Sequence, residues 1–157
     1  MGMSPYFAGI RAAVGKELIL IPGVSVLPWD ADSRLLLVRN KVDGPWGLIG
    51  GAVEPDESPR DAAIREAFEE VGIGVELTNL RGALGGPEFR IQYDNGDEVA
   101  YVQILYDATI TEGVPTPDHD EVSEARWFGV DQLMSAPLDS FALATLRAAK
   151  VLPDSHH

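Results

Sequence analysis

The dipeptide Asn95-Gly96, in "EFRIQYDNGDEVAYVQILYDATI", constrains this chain more than any other local feature. Segments of alternating apolar and polar residues flank it, and Asn-Gly supplies the positive φ that a tight hairpin needs at its two central positions. The spacing predicts two antiparallel strands joined there. Further runs read as strands: "VSVLPW" and "RLLLVRN" joined by the turn-rich "DADS", a short "WGLIG", a weakly alternating "VELTNLRGALG", and "EARWFGV". Helical patterns are fewer. They comprise a short segment at Pro5–Val14, a longer one after Ser58, a brief "DQLMS" and a closing "DSFALATLRAAKVL", with Leu143, Leu146 and Val151 in the apolar stripe. Strands mixed with few helices imply an α/β fold in which helices cover both faces of a mixed sheet.

No repeat, low-complexity run or interdomain linker divides the 157 residues, which predicts a single unit over 1–157, large enough to bury a core. The terminal "DSHH", with His156 and His157, is set aside as a tail or tag remnant. The absence of cysteine excludes disulfides, thiol nucleophiles and cysteine-ligated zinc. Arg11, Lys16 and Glu17 interrupt the apolar residues near the start, so a signal peptide or membrane span is not expected and a cytoplasmic location is. Tyr6 stands where a myristoylation signal after Met1-Gly2 needs Ser or Thr. A formal charge of −13 opposes binding to an extended nucleic acid, which needs surplus Lys and Arg. A small phosphate-bearing ligand stays open to such a chain if a divalent cation neutralises it.

The second constraint is "GGAVEPDESPRDAAIREAFEEVGI", residues 50–73. Ser58 followed by Pro59, with Asp61 three positions after the serine, is a helix N-cap signature, and Gly72 supplies the stop. At about 100° per residue Ile64, Ala67, Phe68 and Val71 gather on one side, with Glu66, Glu69 and Glu70 roughly opposite. The expectation is a helix with one face on the sheet and the other acidic. A solvated glutamate face is the ordinary explanation of such a pattern. Three features argue against it. Glu66 and Glu70 are like charges at i,i+4 with no lysine on their face, an arrangement that costs a few tenths of a kcal/mol, and Arg65 can reach Glu69 but cannot neutralise the group. Ala62 and Ala63 leave the acidic face sterically open. Gly50-Gly51, just ahead, let the backbone approach a ligand or ion closely. Hard cations such as Mg²⁺ or Mn²⁺ take carboxylate, carbonyl and water oxygens, so the helix with a Gly50 or Gly51 carbonyl reads as half of a metal cage.

Gly51, Glu57, Arg65-Glu66, Glu69-Glu70, Gly72 and Ile73 fall in the order and spacing of the Nudix box, and the chain resembles the Nudix hydrolases. The match covers the full motif, with Ala67 standing where a larger aliphatic residue is usual. "LLLVR", "GPWGLIGG" and "EARWF" are also similar to family members. The resemblance implies a Nudix-type α/β/α sandwich with a mixed, largely antiparallel sheet. It also implies metal-dependent hydrolysis of a nucleoside diphosphate linked to another moiety, by water attack at phosphorus. Carried over by position, Glu66 and Glu70 would be the main metal ligands, with Glu69 sharing the cluster and Mg²⁺, or Mn²⁺ in its place, as cofactor. Glu57 and Arg65 would pair and orient the helix. A further acid from outside the box is implied, and in "PDHDEVSEARWF" Glu121, ahead of Trp127, fits a ligand or base; a solvated acidic loop is the plainer reading of that segment.

Trp46, Phe89, Arg90 and Tyr93 are the candidates for substrate binding, since aromatic faces and an arginine suit a nucleotide, although each also suits packing. The partner expected is a small-molecule nucleotide, such as ADP-ribose, a nucleotide sugar, a dinucleoside polyphosphate or a nucleoside triphosphate. "GGPEFRIQYDNGDEV" looks like bacterial members of the MutT-like or ADP-ribose pyrophosphatase type. A homodimer through strands or the N-terminal segment is open to this chain, and no residue specifies it. The competing reading is a Nudix-fold sensor that holds a nucleotide without cleaving it.

Overall fold

The structure is a computed structural model, and it describes residues 3–155, so His156, His157 and the Met1-Gly2 start lie outside the described residues. Its elements are α1 (Pro5–Val14), β1 (Ile19–Pro28), β2 (Leu35–Arg39), β3 (Ile49–Ala52), α2 (Pro59–Val71), β4 (Gly74–Leu84), β5 (Arg90–Gln92), β6 (Glu98–Glu112), β7 (Glu124–Phe128), α3 (Val130–Ser135) and α4 (Ser140–Ala148). The turn that carries Asn95-Gly96 closes the antiparallel β5–β6 hairpin, with Gln92 facing Glu98, but of the two residues only Gly96 takes a positive φ, at 90°, so the connection is not the tight two-residue turn expected. None of the helices among the described residues is long and apolar enough to cross a membrane.

The strands form two sheets. Five-stranded and mixed, the larger runs β3-β1-β6-β4, with β5 also on β6. All its pairings are antiparallel except β1 with β6, which is parallel. A separate antiparallel pair, β2-β7, forms the smaller sheet. The "WGLIG" segment joins them: Gly47 exchanges backbone hydrogen bonds with Val38 of β2, and Ile49–Ala52 then pairs with β1. Only the later part is therefore a strand of the larger sheet. One apolar cluster gathers α2 with Val24, Val26, Val75, Leu77 and Tyr106, and a second gathers α4 with Leu27, Leu105, Trp46 and Phe128, which gives a sandwich with helices on both faces. Val151 lies beyond the end of α4 but packs against the second cluster.

The caps of α2 form as the sequence predicts. Ser58 Oγ accepts the Asp61 N–H at 3.1 Å, and Gly72 takes the left-handed conformation at φ 68°. Its packing face differs from the expectation. Ala62, Ala63, Ala67 and Val71 are fully buried, whereas Ile64 is exposed and Phe68 is 66% exposed. Small alanines let α2 approach the sheet closely, and the tilt this allows carries Glu66 and Glu70 to the buried side while Phe68 turns outward. Ala62 and Ala63 thus form the contact with the sheet instead of opening a face to a ligand.

Candidate active site

Glu66 and Glu70 stand one turn apart on α2 and are 4% and 6% exposed. Two carboxylates rarely share such burial without a compensating charge. Burial, opposed by Arg65 and reinforced by the charges of Glu69 and Glu121, pushes the Glu66 carboxyl up to about 7. Glu70 is pushed well above the usual carboxylate range, first by burial and then by the charge of Glu66; only the Gly50 N–H, which donates to it, acts the other way. Gly50 fits here because it has no side chain, since a Cβ would lie 2.1 Å from the Val24 carbonyl oxygen.

Arg65 ties the box together. Its Nε and Nη2 donate to the two Glu57 oxygens at 2.7 and 2.9 Å, and Nη1 donates to Glu66 at 3.0 Å and Glu69 at 3.1 Å. Nη2 also donates to the Ala52 carbonyl at 3.2 Å, which binds the end of β3 to the helix. Held by the guanidinium, the Glu57 carboxyl titrates below its usual range, and Glu57 also accepts the Glu54 N–H. Glu69 is exposed and joins the group through Arg65.

Glu121 reaches the pair from the loop before β7, and its charge acts on both Glu66 and Glu70. Asp118 shapes that loop, because one of its oxygens accepts the N–H groups of Asp120, Glu121 and Val122. Backbone hydrogen bonds from Thr116 to Val71 and from Asp118 to Glu70 fasten the loop to the end of α2. The organising role of Asp118 was not read from the sequence, although an aspartate ahead of three free N–H groups is the signal of such a turn.

A cavity of about 410 Å³ opens beside Glu70 and Glu121, with Gly50, Gly51, Asp139, Lys41 and Arg39 in its lining, the last paired with Glu124. Tyr93 alone of the four substrate-binding candidates lines it. Trp46 is 2% exposed, packed edge-on to Phe128 with Arg39 and Arg126 against its ring. Phe89 is buried against Phe141, and Arg90 is exposed and paired with Glu98 at 3.0 Å. The cavity instead takes Tyr101 and Phe141, which nothing in their local sequence distinguishes from core residues.

The carboxylates of Glu66 and Glu70, with the charge of Glu121 acting on both, suit a hard divalent cation by charge and chemistry, since the burial of the pair leaves negative charge for an ion to offset. Among the described residues no three Asp, Glu or His side chains already converge on one point as a closed cage. The fit is therefore one of donor chemistry and charge.

Because the two buried carboxyls bind protons more tightly folded than unfolded, the sign of the pH dependence follows. Their burial costs nothing while both are protonated, and the folded state loses stability as pH rises from the ordinary glutamate range through about 7. Glu57 acts in the opposite sense, but only in acid below its ordinary value. Thermal melts in chelator are expected to show Tm falling between about pH 5 and about pH 8. A flat profile over that range would mean that the pair is better hydrated than its burial indicates.

Two buried glutamates on a glycine-flanked helix, one of them lining a cavity of about 410 Å³, supply the donor chemistry of a divalent-cation site. Residues 20–149 match the sequence model of the NUDIX domain, so the chain belongs to the NUDIX family and is a Nudix hydrolase, an enzyme of the pyrophosphatase type. It is 32% identical over 111 residues to a putative 8-oxo-dGTP diphosphatase of Bacillus subtilis, covering 71% of this chain and 68% of that protein. A MutT-like protein of Streptomyces ambofaciens is 47% identical over 51 residues, which cover 32% of this chain and 33% of that one. Among solved structures, a MutT NUDIX hydrolase from Burkholderia pseudomallei superposes with a TM-score of 0.67 at 29% identity, covering 82% of this chain and 97% of that one. Nudix hydrolases generally work with a divalent metal.

Proposed function

We propose that this chain hydrolyses the phosphoanhydride of a nucleoside diphosphate linked to another group, with a divalent cation, Mg²⁺ or Mn²⁺, held chiefly by Glu66 and Glu70. The observation that carries this reading is the buried carboxylate pair Glu66 and Glu70, of which Glu70 lines a cavity of about 410 Å³. Glu69 and a Gly50 or Gly51 carbonyl complete the donors. A bound cation would offset the charge of the pyrophosphate and lower the pKa of a bound water.

The chain's own groups do the rest. Arg65, fixed by Glu57, holds Glu66 and Glu69 in place. Glu121 accepts the proton of the attacking water; the water oxygen bonds to one phosphorus, the bridging bond breaks, and the bridging oxygen leaves with the other phosphate. Tyr93, Tyr101 and Phe141 offer aromatic surface to the nucleoside, and Arg39 and Lys41 offer charge to its phosphates. Trp46, Phe89 and Arg90 are not carried forward as contacts. The overall charge of −13 supports a small nucleotide over an extended nucleic acid as partner, in the cytoplasm.

The test is release of phosphate monoesters from ADP-ribose, nucleotide sugars, dinucleoside polyphosphates and nucleoside triphosphates, with Mg²⁺, with Mn²⁺ and with chelator. Metal-dependent turnover of at least one is expected. Binding of a nucleotide without turnover of any would favour the sensor reading.

A further inference from the structure

The aromatic wall of the cavity is held from two directions. Tyr101, on β6, packs edge-on against Phe141 of α4 with ring centroids 5.6 Å apart, and Phe141 packs in the same way on buried Phe89 at 5.5 Å. That part of the wall is fixed by the core. Tyr93 follows β5, which is three residues long and, among the described residues, pairs with β6 alone. Its ring is half-exposed, and its hydroxyl lies 3.3 Å from that of Tyr101. Yet Tyr93 lines this cavity and also a second one, of about 690 Å³, shared by α1, Glu66 and Glu121. A short edge arm of this kind opens readily unless something outside the sheet holds it.

The brace comes from α1. Arg11 Nη1 donates to the Gly15 and Glu17 carbonyls at 2.9 and 2.7 Å, and Nη2 donates to the Glu98 carbonyl at 3.0 Å. The guanidinium thereby joins the end of α1 to the first residue of β6, with its Nε 3.7 Å from Asp97. Lys16, just past the helix, donates to Asp97 Oδ1 at 2.9 Å. Asp97 is 7% exposed, and a carboxylate so buried needs these cations. It also exchanges hydrogen bonds with Asn95: Asn95 Nδ2 donates to Asp97 Oδ2 at 3.1 Å, and the Asp97 N–H donates to Asn95 Oδ1 at 2.9 Å. The Asp97 carbonyl then accepts the Tyr93 N–H at 2.8 Å. Phe7 seats α1 on Ile21 and Val99, a small cluster apart from the two that hold α2 and α4.

We infer that Arg11 and Asp97 are positioning residues for substrate binding: through the hydrogen bond from Tyr93 to the Asp97 carbonyl they fix the hairpin arm and keep the Tyr93 ring at the cavity wall. This rests on the reading of the cavity as the substrate site of a hydrolase. With the brace in place the arm is ordered before substrate arrives, so its loss weakens binding. The carboxylates of α2, held by Arg65 and the sheet, keep their geometry.

The experiment measures kcat and KM with Mg²⁺ in the wild-type chain, Arg11→Ala, Tyr93→Ala and the double variant. The substrate is whichever of ADP-ribose, UDP-glucose and dGTP the wild-type chain hydrolyses fastest. Tyr93→Ala is expected to raise KM by about fivefold or more through loss of the ring. Arg11→Ala should raise it by about the same factor, with kcat within about twofold of wild type in both. In the double variant KM should stay within about twofold of that of Tyr93→Ala, because the brace has nothing left to position. Should thermal melts show Arg11→Ala unfolded at the assay temperature, Asp97→Asn takes its place beside Tyr93→Ala. That variant keeps the side-chain size and loses the charge, and its expected rise in KM is about threefold. A KM that the brace variant leaves unchanged, or effects that multiply in the double variant, overturns the positioning role and leaves the hydrolytic reading standing. No turnover of any of the three compounds by the wild-type chain overturns both.

Discussion

Glu70→Gln is expected to lower metal-dependent hydrolysis by about 10³-fold or more, ~4 kcal/mol of transition-state stabilisation, while raising the Tm of the chelated protein above neutral pH. The two effects share one cause. Burial and the neighbouring Glu66 charge disfavour the ionised carboxylate, so replacing it with a neutral side chain of nearly the same size relieves the folded state. The carboxamide oxygen still accepts the Gly50 N–H. What is lost is the negative charge that a cation requires. A structural glutamate would behave otherwise, because its removal would lower stability and rate together. The measurement is kcat/KM with Mg²⁺ alongside thermal melts in EDTA at about pH 8. A wild-type rate in the variant would remove Glu70 from the metal site.

The second large effect is expected at Arg65. Arg65→Ala breaks the fork on Glu57, the contacts to Glu66 and Glu69, and the hydrogen bond to the Ala52 carbonyl. Glu66 then stays buried beside Glu70 without its cation, a loss of about 3 kcal/mol, and the turn between β3 and α2 is untied. The corresponding Tm decrease is about 6–12 °C. Hydrolysis should fall by about 10–100-fold, as is usual when a group that orients metal ligands is removed. Arg65→Lys should rescue little, because an ammonium cannot span the same fork. Thermal melts and steady-state kinetics on the three proteins check this. A slowed variant with unchanged stability would show that Arg65 acts on the substrate and not through the helix.

The parts of the molecule legible in the sequence are those fixed by local chemistry. The Asn95-Gly96 hairpin, the Ser58-Pro59 start and the Gly72 stop of α2 each depend on a few adjacent residues, and each forms where the sequence places it. The spacing of the box likewise brings Glu57, Arg65, Glu66 and Glu69 into one hydrogen-bonded group. What was not legible depends on distant partners. A helical wheel ranks Phe68 above Glu66 as a core residue, yet the alanine edge of α2 is what fits against the sheet, and the carboxylates follow it inward. Trp46 and Phe89 look like ligand platforms until Phe128 and Phe141 are found against them. Division of the strands into two sheets depends on a crossing at Gly47 that no local pattern announces.

The parallel pairing of β1 with β6 has a kinetic consequence. Ile19 faces Val99 and Pro28 faces Ala108, so the central pairing of the larger sheet joins residues about eighty positions apart. On a growing chain the whole box emerges before the strand that completes the floor beneath its helix. Until that strand docks, Glu66 and Glu70 remain hydrated and ionise as ordinary glutamates. Their dehydration belongs to the late, long-range closure. A cation that recognises only the closed arrangement then stabilises the folded state over every form in which that strand is undocked.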